Sequence, residues 1–344
     1  MKLQIIRPRL EEDTEFAYLV GRVRALESGI LSQKVLENVI KAEDLEQALR
    51  MVTEIPYWGV SFQGTFHDPQ AIDEALMSHL WSMVEDFDRY RIAKPLTRFF
   101  ILGFDFNFLK LAMKHHLAKK TLEKSYPTTL DAKKVFRFFS GEGKEFLPDP
   151  FEDAIREALS SFESHAYNVQ ILEFVLDRFY LQEVYKLALR HESQVLKNWF
   201  LAYIAFAYLK AALRARCQKG KPEMVRSMYT LNPLVSQEAF LNLLNASSEK
   251  VPEMIADLGF SFILPVESFY DDPYYVAEVE KRMDNYLTRF ARSFSSQTFG
   301  PEPVFGFFWA KYIDVKNLRI LLEGKYFGLP HEVLRSQVRE CYYE

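Results

Sequence analysis

Along most of the chain, apolar side chains return every three or four residues, the spacing that lines them up on one face of an α-helix. Leu19, Val23 and Leu26 share one such face, and Leu36, Val39 and Ile40 share another. Asp44-Leu45-Glu46-Gln47 has the form of a capping box and predicts a short helix through Ala48, Leu49 and Val52. Asp68-Pro69 sets an N-cap before a proline at the first helical position, ahead of Ile72, Ala75, Leu76, Leu80, Met83, Val84 and Phe87. The same pair recurs at Asp149-Pro150, ahead of Ile155, Leu159 and Phe162. From Val169 to Cys217 the spacing is helical with a break near His191, and residues 222–260 read as short helices punctuated by Pro233 and Pro252. A further helix is expected from Val276 to Ser293. Gly300-Pro301-Glu302-Pro303 then predicts a turn before a helix ending near Gly324 or Gly328, and Pro330 opens the last helix. Strand-like alternation is confined to Trp58–Phe66, where Gly59 and Gly64 favour a loop. The expected fold class is all-α.

One helical pattern repeats. Ala17-Tyr18-Leu19-Val20, Asn107-Phe108-Leu109-Lys110, Ala207-Tyr208-Leu209-Lys210 and Lys316-Asn317-Leu318-Arg319 align on their leucines, which lie 90, 100 and 109 residues apart. Four residues after each leucine stands an aliphatic residue (Val23, Met113, Leu213, Leu322), followed by Arg24, Lys114, Arg214 or Glu323. A turn and a second amphipathic piece come next: Leu31-Ser32 with Leu36, Leu130-Asp131 with Phe136, Val235-Ser236 with Phe240, Leu329-Pro330 with Leu334. A period near 100 residues is too long for a solenoid of small repeats and implies three comparable helical domains. Their expected bounds are 1–125, 126–222 and 223–344.

Composition narrows the class. The chain has 344 residues, enough for two or three cores of ordinary size. Apolar residues make up 49% and charged residues 26%, a globular profile. Glycine is scarce at 13 residues and phenylalanine abundant at 30, which suits long helices, since glycine costs a helix interior about 1 kcal/mol. A net charge of −4 gives no electrostatic reason to expect nucleic acid or anionic lipid as the main partner. Two cysteines, Cys217 and Cys341, make no disulfide framework and point to a reducing compartment. The charged stretch from Met1 to Glu15 lacks a signal-peptide core. The most apolar run, Trp199–Leu209, is about half of what a bilayer span needs and predicts a buried helix.

Chemistry-bearing clusters are few. Asp314 and Asn317 lie three apart on one helical face, where they can bond each other, a neighbouring backbone group or a ligand; a satisfied core pair is favoured. Asp271-Asp272 resembles an aspartate-rich metal motif but is followed by Pro273, Tyr274, Tyr275 and Val276, so a turn or N-cap is expected. His115 and His116 are adjacent and point about 100° apart on a helix, poor geometry for one metal. Ser140-Gly141-Glu142-Gly143-Lys144 lacks the glycine spacing, the following Ser or Thr and the preceding strand of a phosphate loop. Trp199, Phe200, Tyr203, Phe206 and Tyr208 wrap round one helix as core. Cys217 has no nearby His or acidic cluster, and no nucleophile–base arrangement stands out. No catalytic residue, metal site or cofactor is therefore expected.

Two segments carry a family resemblance. Phe16-Ala17-Tyr18-Leu19 through Arg22-Val23-Arg24-Ala25-Leu26-Glu27 resembles the opening of the C-type subunit of V-type and archaeal-type (A-type) rotary ATPases, which is similar to the d-type subunit of the eukaryotic V-ATPase. The likeness continues through Leu31-Ser32, Asp44-Leu45 and Ala48-Leu49 to Thr53-Glu54-Ile55-Pro56-Tyr57. Near the other end, Tyr312 to Leu322, containing Asp314, Asn317, Leu318 and Arg319, resembles the family's Asp-x-x-Asn-Leu-Arg/Lys helix, followed by Gly324-Lys325 and Gly328-Leu329. The first internal copy departs from the pattern, with Asp105 but Phe108 in place of Asn beside Asn107. The second has Ala205 and Tyr208, and so loses both polar members, which makes the motif look architectural.

The resemblance implies three similar helical domains in a pseudo-threefold funnel, with no catalytic role. Such a subunit sits on the cytoplasmic face of the membrane, seated on the membrane rotor (proteolipid) ring. It receives the lower end of the central shaft, so that torque reaches the ring for ion transport. The isolated chain is then expected to be a monomer that does not hydrolyse nucleotide. The residues alone leave two alternatives open: a helical scaffold or adaptor of another complex, and a helical enzyme with a dispersed site.

Overall fold

The computed structural model describes residues 14–62, 68–120, 122, 126–141, 147–217, 222–265 and 272–343. In chain order its α-helices are α1 (Ala17–Leu26), α2 (Gln33–Lys41), α3 (Leu45–Thr53), α4 (Pro69–Asp88), α5 (Lys94–Leu117), α6 (Ala132–Phe139), α7 (Phe151–Ser164) and α8 (Val169–Arg190). There follow α9 (Gln194–Cys217), α10 (Pro222–Arg226), α11 (Gln237–Asn245), α12 (Val251–Asp257), α13 (Pro273–Arg292), α14 (Pro301–Tyr326) and α15 (His331–Gln337). Among the described residues there is no β-strand, only an isolated parallel bridge between Ser32 and Tyr343. The fold is all-α, as the periodicity predicts. The first thirteen residues, the second half of the Trp58–Phe66 stretch, Glu142-Gly143-Lys144 and Asp271 lie outside the described residues.

The starts of the helices follow local chemistry. Asp44 accepts from the Gln47 amide at 2.8 Å, and the Gln47 side chain accepts in return from the amide of Glu43 at 2.6 Å. Asp68 accepts from the Ala71 amide at 2.7 Å with Pro69 as the first helical residue. Asp149-Pro150 behaves differently from its look-alike. Pro150 itself occupies the N-cap of α7, its bond to Asp149 is cis, and the first amides go to turn carbonyls, Phe151 to Pro148 and Ala154 to Pro150. The second amphipathic pieces of the repeat open alike: Ser32, Asp131 and Ser236 cap α2, α6 and α11 with their side chains. Pro330 opens α15 with no side-chain bond.

The described chain divides into two compact units. The middle unit comprises Arg98–Glu192 and Phe200–Val276. There Leu102, Phe106, Leu109 and Met113 of α5 pack with Val135 of α6, Ile155 and Ala158 of α7, and Ile171, Val175 and Leu176 of α8. Phe200, Phe206, Tyr208 and Leu209 of α9 are also buried, and Tyr208 lies against Tyr229 and Phe240 of the α10–α11 region.

The terminal unit comprises the described residues up to Thr97, Ser193–Trp199 and the chain from Ala277 onward. Its axis is α14, buried on nearly every side from Pro303 to Lys325 and packed by α4, α1, α3 and α15. Phe87 of α4 meets Phe308 edge to face, and Trp199 meets both Phe305 and Trp309 edge to face at 4.7 Å. No helix of the described residues is long and apolar enough to cross a membrane.

Candidate functional site

The repeat leucines Leu19, Leu109, Leu209 and Leu318 fall on α1, α5, α9 and α14, each at most 1% exposed. They are packing residues, and the polar groups around them carry the information. Asp314 and Asn317, both buried on α14, do not bond each other. Asp314 accepts from the Leu31 amide at 3.1 Å, just before the Ser32 cap of α2. Asn317 clasps both backbone groups of one residue: its Oδ1 accepts from the Arg339 amide at 2.8 Å and its Nδ2 donates to the Arg339 carbonyl at 3.1 Å.

The first internal copy shares the Asp314 device. Asp105 on α5 accepts from the Thr128 hydroxyl at 2.8 Å and from the Thr129 amide and hydroxyl at 2.7 Å each, just before the Asp131 cap of α6. Burial raises its carboxyl affinity for protons, and these three donors oppose that rise.

The second copy corrects the sequence reading. Tyr208 is not a lost polar member: its hydroxyl donates to the Thr230 carbonyl at 2.8 Å and accepts from the Thr230 amide at 2.9 Å. Asn317 and Tyr208 hold the same position, one before the repeat leucine, and each grips both backbone groups of the residue 22 further on. Ala205 has no such group. Asn232 supplies it from the far side, accepting from Leu234 and Val235 amides and donating to the Leu201 carbonyl.

Around Asp314 lies a buried cluster that periodicity does not reveal. Lys311, one turn earlier and 0% exposed, donates to the Gly29 carbonyl and lies over the Trp58 ring at 4.7 Å. Trp58 donates to the same carbonyl at 2.9 Å and stacks on His79 at 3.9 Å. A Cβ on Gly29 would sit 2.6 Å from the Pro56 carbonyl and 3.3 Å from the Lys311 ammonium, so only glycine admits this approach. Lys311 and Asp314 are 4.0 Å apart. Burial disfavours both charges, lowering the lysine and raising the aspartate, while each partner draws the other back toward its ionised form. Burial also pushes His79 down to about 3, and the Lys311 charge adds to that shift. His79 Nδ1 meets Ser61 Oγ at 2.9 Å, while its Nε2 and Asp314 Oδ1 have no hydrogen-bond partner.

The other end of α14 fastens further segments. Lys325 donates to the Ile40 carbonyl at 2.7 Å and to the Ala42 carbonyl. Asp284 of α13 takes Lys316 at 3.1 Å and Arg339 at 3.3 Å. Beyond Arg339, the Glu340 amide bonds Asn285 at 2.9 Å, the Cys341 carbonyl accepts from Arg292 at 2.6 Å, and the Tyr342 hydroxyl donates to the Ala291 carbonyl at 3.0 Å. Burial pushes the Cys341 thiol up to about 12, so it is held as an unreactive thiol.

The remaining candidates are placed plainly. Asp272 accepts from the Tyr274 amide at 2.8 Å at the start of α13. His115 and His116 are half-buried, and His116 lies against Phe139. Ser140 and Gly141 end α6 in a turn. Among the described residues no group of three or more His, Cys, Asp or Glu side chains is placed to hold a metal ion.

What these contacts do is mechanical: repeated helices spend buried polar side chains on backbone of other segments. That defines an all-helical architecture whose recurring helix is a fastening element. The chain belongs to the ATP synthase (C/AC39) subunit family, whose model matches residues 19–337. Among its relatives, the C-type subunit of the A-type ATP synthase of Methanocaldococcus jannaschii is 21% identical over 93% of this chain and 85% of its own length. The C-type subunit of the V-type sodium ATPase of Enterococcus hirae is 21% identical over 95% of this chain and 99% of its own. Its counterpart in the A-type ATP synthase of Methanothermobacter thermautotrophicus is 24% identical over 97% and 90%. The family resemblance read from the two ends of the sequence is thereby borne out.

Proposed function

We propose that this chain is the non-catalytic central-stalk subunit of a rotary ATPase of the V/A type, on the cytoplasmic face of the membrane. It receives the lower end of the central shaft, sits on the membrane rotor (proteolipid) ring, and transmits torque between them for ion transport. The observation that carries this is the match to one subunit family along almost the whole chain, together with relatives of similar length. The bonds from Asp314 to the Leu31 amide and from Asn317 to the Arg339 backbone support it, since a torque-bearing part needs its segments locked together. The three-domain, pseudo-threefold funnel (1–125, 126–222, 223–344) belongs to the same proposal and is supported by the shared device of Asn317 and Tyr208. Well-packed, glycine-poor helices suit the task, because close-packed interiors yield little to strain.

The test is reconstitution of the purified complex with and without this chain, following ATP hydrolysis and ion uptake together. Without it, the soluble head should still hydrolyse ATP while ion uptake stops and head and ring separate readily. Full ATP-driven uptake in its absence would refute the coupling role. Loss of hydrolysis in the free head would reveal a catalytic contribution.

A further inference from the structure

The α2–α3 hairpin is one excursion of the chain with a narrow neck. The chain leaves at Gly29 and returns at Pro56-Tyr57-Trp58, and the two passes touch. The Trp58 indole donates to the Gly29 carbonyl at 2.9 Å, and a Cβ on Gly29 would lie 2.6 Å from the Pro56 carbonyl oxygen. One helix, α14, fastens this excursion at both ends. At the neck, Lys311 donates to the Gly29 carbonyl and Asp314 accepts from the Leu31 amide. About three helical turns beyond Asp314, at the hairpin's tip, Lys325 donates to the Ile40 carbonyl at 2.7 Å and to that of Ala42.

Both lysines are taken out of water, Lys311 fully and Lys325 to 8% exposure. Asp314 stands 4.0 Å from Lys311, beyond hydrogen-bond reach, and Oδ1 of that aspartate has no partner. Each ammonium is therefore held chiefly by main-chain carbonyls, with a desolvation cost that a neutral amine would escape. We propose that the α2–α3 hairpin is a proton-linked latch: closing it onto α14 expels protons from these lysines, so the latch tightens as the medium turns alkaline and loosens as it acidifies. Burial moves both lysines in the required direction, below their ordinary value. The closed latch then binds fewer protons than an open one whose lysines stand in water, and opening becomes harder as pH rises.

The other titratable groups around neck and tip leave that sign intact on the alkaline side. Asp314 favours the Lys311 proton, and Asp44 that of Lys325, so each weakens the effect without reversing it. Burial raises the Asp314 carboxyl and lowers His79 of α4, which stacks on Trp58, so these two oppose each other in acid. Cys341, whose thiol feels the Asp314 charge, is pushed up to about 12, above the range concerned. Tyr57 is exposed at the neck even in the closed latch. Arg335 of α15 and Glu37 of α2 are paired, and the pairing favours the charged form of both. The latch does not depend on the central-stalk role and is tested on the isolated full chain.

Val39, fully buried on α2, serves as the reporter through Val39→Cys in a Cys217→Ser background. Val84→Cys on α4 is the control outside the hairpin, and peptide mass spectrometry reads each site apart from Cys341. Thiol labelling at pH 8, 9 and 10 is divided by that of an unstructured peptide of the same local sequence at the same pH, which removes the titration of the thiol itself. The ratio for Val39→Cys should fall about tenfold from pH 8 to pH 10, with no such fall for Val84→Cys. Lys311→Met/Asp314→Asn should abolish most of that fall, and adding Lys325→Met should abolish the rest. Lys311→Arg, which keeps its proton throughout this range, should leave labelling fast at pH 10. A ratio that stays flat or rises with pH, a fall shared equally by Val84→Cys, or a slope that survives in the triple variant would overturn the proposal.

Discussion

Asn317 and Tyr208 differ in size and chemistry, yet each applies one donor and one acceptor to the backbone of a single residue. Removing either leaves a part-buried amide and carbonyl without their partner, which costs about 1–3 kcal/mol. Asn317→Ala and Tyr208→Phe should therefore both lower the calorimetric unfolding temperature, by similar amounts. A change in Tm within error for Tyr208→Phe would show that solvent replaces the clasp. His79 gives a pH prediction of definite sign. Its folded-state value is depressed to about 3 from 6.5, so below pH 6.5 the unfolded chain takes up a proton that the folded chain refuses. Stability should fall as pH drops from 6.5, by about 2 kcal/mol from this residue between pH 6.5 and 5. His79→Gln should flatten that part of a stability-versus-pH curve; an unaltered slope would exclude His79 as its source. Periodicity marks Asp314 and Asn317 as polar groups with partners, because acid and amide on a buried face must find them. It misses Tyr208 because a tyrosine in an aromatic run reads as core by type. It misses Lys311 because its partner Gly29 lies 282 residues away.

Helix ends are the most legible elements, since a cap is a local bond between neighbours. Asp44 and Asp68 are where their spacing puts them, and the turns of the repeat prove to carry caps at Ser32, Asp131 and Ser236. Asp149-Pro150 misleads because the same dipeptide can close a turn, and only the tertiary path decides which. The least legible element is the short stretch after α15, which has no periodicity and is held by bonds from α13 and α14. Gly306 on α14 makes that docking possible: a Cβ there would lie 2.5 Å from the Tyr342 hydroxyl. Gly306→Ala should loosen the stretch and expose Cys341, now 4% exposed, to a thiol reagent. Labelling of Cys341, followed in a Cys217→Ser background, should speed up at least severalfold. Adding Tyr342→Phe should restore slow labelling by removing the clashing oxygen. Unchanged labelling in Gly306→Ala would show that α14 shifts to absorb the methyl group.

At the scale of the whole chain, composition, caps and repeat together point to an all-helical protein. The clustering of its helices into two units is hidden from them, because it depends on which distant segments share a core. The exposed large apolar side chains include Tyr18, Val60, Tyr167, Leu231 and Phe327, spread along the sequence. Singly exposed residues of this kind are ordinary on a protein surface. The isolated chain should accordingly sediment as a 40.4 kDa monomer. A concentration-dependent dimer at micromolar protein would contradict that. Calorimetry should detect no tight ATP binding, and binding lost in Lys144→Ala would contradict that as well. The division into units has a consequence in time. Helices α1 to α4 share their core with α14 and with residues as late as Tyr342, whereas the middle unit is complete at Val276. Ribosomes add about 5–20 residues per second, so helices α1 to α4 wait roughly 13–63 s for the last of their partners. During that interval their apolar faces are open to the cell, and chaperones that bind nascent chains have their target at the beginning of this polypeptide, well before its middle.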